Sequence, residues 1–242
     1  MKTNNFLSKY LPPNTITMLF GNSKVGKSKL AIDLAFCVAT GNSCFLEQKT
    51  KQGKVLIISS DSLQSLRHSL ARRGFSTENA ENIRFILRWG IDEIGLLVAQ
   101  LEDFQPDLLI IDCLSASIHL SEASCLNLSK LASDYQMSLL FVSHLGREEP
   151  KRDFIPHLGW KNNINEMLKL SSSCNSCWWE LSSSAQDSKK RIFSVGGGGI
   201  KYKKLNIKFN PQDYSFSLIK KVGKTKSVEE FRQLFETLYQ QD

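Results

Sequence analysis

The chain of 242 residues is 41% hydrophobic and 10% aromatic, enough for a full core and unlike a disordered polymer, with apolar runs no longer than a strand, which excludes a membrane helix of roughly 20 residues. The N-terminal MKTNNFLSKYLPPNT has no apolar stretch ending in a small-residue cleavage site, so no secretory signal is read and a cytoplasmic location is expected. The net charge of +7 is uneven: residues 1–150 hold 15 basic and 15 acidic side chains, residues 151–242 hold 16 and 9, and within 189–226 eleven Lys or Arg face Asp213 alone. That asymmetry points to a phosphate-rich partner, with a solvated, lysine-protected strand surface as the competing explanation.

After the Pro12–Pro13 turn, residues 15–20 alternate and condense into a buried strand, and GNSKVGKS follows at once. Leu30, Leu34 and Val38, with Ala31 and Ala35, recur at helical spacing up to a stop at Gly41. Residues 47–54 form a polar turn, and VLIIS at 55–59 reads as a buried parallel strand ending at Ser60 and Asp61. Leu63, Leu66 and Leu70 predict a helix closing near Gly74, and IRFIL at 83–87 a strand. Ile94, Leu97, Val98 and Leu101 predict a helix, DLLIID at 107–112 a strand, 126–135 a helix and SLLFVSH at 138–144 a strand. This alternation predicts an α/β fold, a mainly parallel sheet with helices on both faces. Beyond about Lys151 the texture changes. WWELSS, KKLNIKFN and YSFSLIKK read as antiparallel strands with turns that include Gly196–Gly199, and Ser227 with Glu230 forms a capping box opening a small terminal helix. The division is thus an α/β domain over 1–222, with its core at 8–150 and a basic β-rich part at 151–222, and a helical appendage over 223–242. Among six cysteines only Cys174 and Cys177 form a CxxC, with no second ligand pair nearby, so reduced thiols are expected.

Gly21 to Ser28 matches G-x-x-x-x-G-K-[ST] without a mismatch, between a predicted strand and a predicted helix. Small residues let the backbone curl until successive N–H groups face a phosphate at a helix N-terminus. The nucleotide-binding candidates are Gly21, Asn22, Ser23, Lys24, Val25, Gly26, Lys27, Ser28 and Lys29. Lys27 is expected to reach the β- and γ-phosphates of ATP, and Ser28 to ligate Mg²⁺. Asp112, at the carboxyl end of a strand that can only be central, is the expected second Mg²⁺ holder. Asp61, also at a strand end, either orients or activates the attacking water or caps the helix that begins near Ser62. His144 either senses the γ-phosphate or simply leaves its strand as a polar residue.

PPNTITMLFGNSKVGKSKLAIDLA, VLIISSD, DLLIIDCL and LLFVSH, in that order, resemble the RecA-like P-loop ATPases, and most closely the RepA-type plasmid replicative helicases and their AAA-type relatives, over roughly residues 8–218. The resemblance implies an ATP-hydrolysing, DNA-dependent motor working with Mg²⁺, a homo-oligomeric hexameric ring, and single-stranded DNA as partner. It also implies that Lys189 and Arg191 of KKR act on a neighbouring subunit's nucleotide, and that Lys151, Arg152, Trp160 and Lys161 lie in a DNA-lining loop. Packing of Trp160 on the sheet is the alternative there. Family members commonly carry Glu where this chain has Asp61, one methylene shorter, and HHT where it has SHL, so slow or ligand-dependent hydrolysis is expected. A DNA-dependent regulator or loader without unwinding activity, and a nucleotide-gated DNA-binding module with little turnover, are the competing functions.

Overall fold

The structure, a computed structural model, describes residues 10–41, 44–87, 89, 93–112, 122–143, 176–183 and 189–222. Its frame is a nine-stranded sheet whose strands lie side by side in the order 216–222, 200–209, 190–197, 177–183, 16–20, 138–142, 108–112, 55–59 and 83–87. The first six strands in the chain to join it are β1 (Ile16–Phe20), β4 (Val55–Ser59), β5 (Ile83–Leu87), β6 (Leu108–Asp112), β7 (Ser138–Val142) and β8 (Cys177–Ser183), and all run parallel to their neighbours within that group. β9 (Lys190–Gly197), β10 (Ile200–Phe209) and β11 (Phe216–Val222) then extend the sheet as an antiparallel meander. A separate pair, β2 (Cys44–Phe45) and β3 (Gln48–Lys49), replaces part of the expected polar turn, with Leu46 and Glu47 between them at φ 48 and 64.

Side-chain alternation along the strands divides the core into two layers. Leu19, Val55, Ile57, Leu108, Ile110, Leu140 and Val142 face the cluster that contains α1 (Lys27–Thr40) and α2 (Leu63–Arg73). Ile16, Met18, Leu56, Ile58, Leu109, Ile111, Leu139 and Phe141 face the cluster of α3 (Ile94–Phe104) and α4 (Glu122–Asp134). Gly41 and Gly74 end α1 and α2 as anticipated, both in the left-handed region. The same alternation puts Asp112 on the α1 side of the sheet, two residues beyond Ile110.

Two expectations change. WWELSS was expected within an antiparallel set, whereas β8 lies parallel to β1, pairing Thr17 with Cys177 and Phe20 with Glu180, and is antiparallel only to β9. The long stretch between β7 and β8 is ample for the crossover that a parallel neighbour requires. Gly196 and Gly197 belong to β9, so the turn is Gly198–Gly199 alone, with φ 53 and 79, the sign that tight two-residue hairpins favour. Trp179 of β8 anchors this side: it stacks on Phe45 at 5.9 Å, meets Phe193 edge-on at 5.2 Å, and donates its indole N–H to the Tyr10 carbonyl at 2.8 Å.

Candidate nucleotide site

The loop between β1 and α1 is shaped by two glycines. At Gly21, φ is 151 and a Cβ would stand 2.1 Å from the Leu181 carbonyl oxygen of β8, so only glycine lets the chain leave β1 against its neighbour. Gly26, at φ 106, turns the backbone into α1 and its carbonyl accepts the first helical bond, from Leu30 N–H at 2.9 Å. Asn22, Ser23 and Lys24 between them are exposed, and Val25 buries its side chain, leaving only its backbone to the loop. Lys27 is 2% exposed, and its ammonium donates to the carbonyls of Gly21 at 2.8 Å and Asn22 at 2.9 Å. A buried ammonium at a helix N-terminus attracts phosphate oxygen.

Ser28, the first-turn residue after Lys27, donates its hydroxyl to Asp112 Oδ1 at 3.2 Å across 84 residues of sequence. β7 lies between β1 and β6 in the sheet, and Ser143 N–H pairs with the Leu19 carbonyl at 2.8 Å, so all three strands end at one edge. Asp112 is buried, and desolvation pushes its carboxyl up to about 6; the Ser28 hydrogen bond and the Lys27 charge oppose the rise, while Asp61 adds to it. A hydroxyl and a carboxylate this close form a hard oxygen pair, the donor chemistry that suits Mg²⁺.

Asp61 follows β4, whose last residue Ser59 pairs with Asp112. Its N–H donates to Ser59 Oγ at 3.1 Å, and Asp61 is exposed. The α2 cap is Ser62, which accepts from Ser65 N–H at 3.2 Å, so the capping alternative falls to the next residue and leaves the Asp61 carboxylate out of that role. Lys29, expected among the nucleotide-binding residues, directs its ammonium from the first turn of α1 to Ser69 Oγ of α2 at 3.0 Å and over the Tyr214 ring of the β10–β11 turn at 3.9 Å.

The meander touches this loop directly, a connection with no motif to announce it. Arg191 of β9 donates Nε–H to the Val25 carbonyl at 2.7 Å. Phe216 of β11 has its ring within 3.6 Å of the position a Cβ on Gly26 would take, and its N–H donates to Asp33 Oδ2 at 3.0 Å. Asp33, 1% exposed in α1, also pairs with Arg73 of α2 at 2.5 Å; burial raises its carboxyl above the ordinary range although Arg73 pulls it down. Alternation along β9 explains Arg191, which shares the α1-facing side with Phe193 and Val195. Lys189 is exposed just before β9, its carbonyl accepting from Phe209 N–H at 2.9 Å.

His144, Lys151, Arg152, Trp160 and Lys161, the Cys174 half of the CxxC, and the terminal segment 223–242 lie outside the described residues. Cys177 is buried, donates to the Gly197 carbonyl at 3.3 Å, and has its thiol pushed up to about 12 by burial. No helix among the described residues is long and apolar enough to cross a membrane.

Comparison with known proteins agrees with this geometry. No curated protein matches the chain. Among solved structures, a KaiC-like protein from the hyperthermophilic archaeon Pyrococcus horikoshii OT3 is similar over 91% of this chain and 98% of its own, at a TM-score of 0.60 and 14% identity, a likeness of fold. The AAA domain family AAA_25 matches residues 2–150, from ahead of the glycine loop to beyond β7. With that match over more than half its length, the chain belongs to the AAA domain family, in the form of a RecA-like P-loop ATPase.

Proposed function

We propose that the chain hydrolyses ATP at this site with Mg²⁺ and uses turnover to move along or unwind single-stranded DNA as a ring, a motor of the replicative helicase type. One observation carries the reading: Ser28 and Asp112, 84 residues apart, meet at 3.2 Å beside the loop that buries Lys27. The loop N–H groups and the Lys27 ammonium hold the phosphates, and Ser28 with Asp112 holds the metal, whose charge offsets that of the phosphates. In this reading Asp61, after the adjacent strand, orients the attacking water, and His144 is the polar group expected beside the γ-phosphate.

Charge supports the nucleic-acid half. The 151–242 excess lies largely on the meander, where Lys190, Lys201, Lys204 and Lys208 are exposed and Lys190 pairs across from Lys208. Lys151, Arg152, Trp160 and Lys161 add charge and a stacking ring in the preceding segment. Steady-state ATP hydrolysis with and without single-stranded DNA over a salt series, with Lys27→Ala as blank, tests the motor. Stimulation that fades with salt and vanishes in the variant is expected. Turnover indifferent to DNA at every salt concentration excludes it.

A further inference from the structure

The meander lies outside the family match of residues 2–150, yet it meets the nucleotide loop of its own chain at Val25 and Gly26 and the following helix at Asp33. Arg191 holds the Val25 carbonyl, Phe216 packs on Gly26, and the Phe216 N–H is fixed by Asp33 one helical turn and more beyond Lys27. When a loop curls its N–H groups inward to meet an anion, its carbonyls turn outward and need donors elsewhere. Val25 is such a residue, because α1 starts only at Lys27 and the first helical acceptor is Gly26. A guanidinium donor at 2.7 Å is a charge-assisted partner for that carbonyl. A second nitrogen, Nη1, donates to the Lys190 carbonyl at 2.9 Å, which ties the side chain to its own strand and limits its motion.

We propose that Arg191 is a positioning residue acting within its own subunit: by holding the Val25 carbonyl it pre-organises the phosphate-binding loop, so that affinity for the diphosphate part of the nucleotide depends on the meander. The proposal rests on the reading of this loop as a nucleotide site. It differs in kind from a residue that reaches the γ-phosphate of a neighbouring subunit, because a backbone effect on the loop acts on ADP as well as on ATP and requires no neighbour.

The test is equilibrium titration of Mg-ADP, and of a non-hydrolysable ATP analogue, into the full chain, its R191M and R191K variants, and Lys27→Ala. Loss of one charge-assisted hydrogen bond corresponds to a weakening of about tenfold or more. R191M is expected to weaken ADP and the ATP analogue by similar factors, equally at dilute and concentrated protein. R191K keeps a cationic donor and is expected to recover most of the affinity. A merely structural role leaves the affinity of the folded fraction unchanged in R191M, which overturns the proposal. So does a loss confined to the triphosphate, the mark of a γ-phosphate contact. If the unaltered chain and Lys27→Ala bind ADP alike, the nucleotide reading itself fails, and the Arg191 role with it. Should R191M not fold, hydrogen exchange in the unaltered chain reads the same coupling. Mg-ADP is expected to slow exchange in residues 190–197 together with the loop, and slowing confined to residues 21–28 overturns it.

Discussion

Asp112 sits where two demands conflict: a strand buried on both faces excludes water, while the metal-binding role requires a charged carboxylate. Desolvation prevails in the metal-free chain and lifts its pKa from an ordinary 3.8 to about 6. The folded chain therefore holds this proton more tightly than the unfolded chain does. Its contribution to stability is complete below the unfolded pKa and is lost as pH rises through about 6, a swing on the order of 3 kcal/mol. Thermal unfolding of the metal-free protein is expected to show this decline between about pH 4 and pH 6 relative to Asp112→Asn, which cannot titrate. Equal pH profiles for the two proteins contradict the burial argument. The nearness of Asp112 to Ser28 was legible in the sequence, because the glycine loop follows one buried strand and Asp112 ends another, and parallel strands bring those ends to one edge; the face that Asp112 takes was not, since LLIID is apolar on both. The cap was only half legible: Asp61 and Ser62 are both good capping residues, and one residue of phase, visible only in the Ser65 hydrogen bond, separates them.

Among the elements, α1 is the hub, since it carries Lys27 and Ser28 at its start and Asp33 further along. Asp33 joins three elements through Arg73 of α2 and the Phe216 N–H of β11, all with little solvent. Asp33→Ala strands a guanidinium that is 16% exposed and a strand N–H, and removal of one partner of a buried pair costs about 3–5 kcal/mol. The urea midpoint is expected to fall accordingly, and a loss under about 1 kcal/mol contradicts this account of the hub. Apart from the short β2–β3 pair, which read as a polar turn, the strands and helices from β1 to β7 were legible because their apolar periods are long and their stops are Gly or polar. β9 was not. RIFSVGG ends in glycines that read locally as turn, and it becomes a strand because β8 and β10 pair with it on both sides and Trp178 lies against Gly196. The direction of β8 was equally hidden, since orientation follows from how the chain returns to the sheet rather than from the residues of the strand. With β9 unread, the Arg191 contact had no local signal, for a backbone carbonyl at Val25 leaves no mark in sequence.

At the scale of the molecule, the proposed motor places its nucleotide site and its positive charge on one sheet. Its parallel half assembles the nucleotide site at the edge where β1, β7 and β6 end, and its antiparallel half carries the positive charge. The meander is joined to the site through Arg191 and Phe216, so a polyanion on its lysines and a nucleotide on the loop act on one connected structure. The proposed stimulation of ATP hydrolysis by nucleic acid would travel through these contacts. The proposed motor depends on a Mg-nucleotide site formed by Lys27, Ser28 and Asp112. The direct test is calorimetric titration of a non-hydrolysable ATP analogue into the full chain, with and without Mg²⁺, beside Ser28→Ala and Asp112→Asn. Mg²⁺ is expected to tighten binding about tenfold or more in the unaltered chain, and either substitution to remove most of that gain while binding without metal persists. A gain from Mg²⁺ that survives undiminished in both variants contradicts the site.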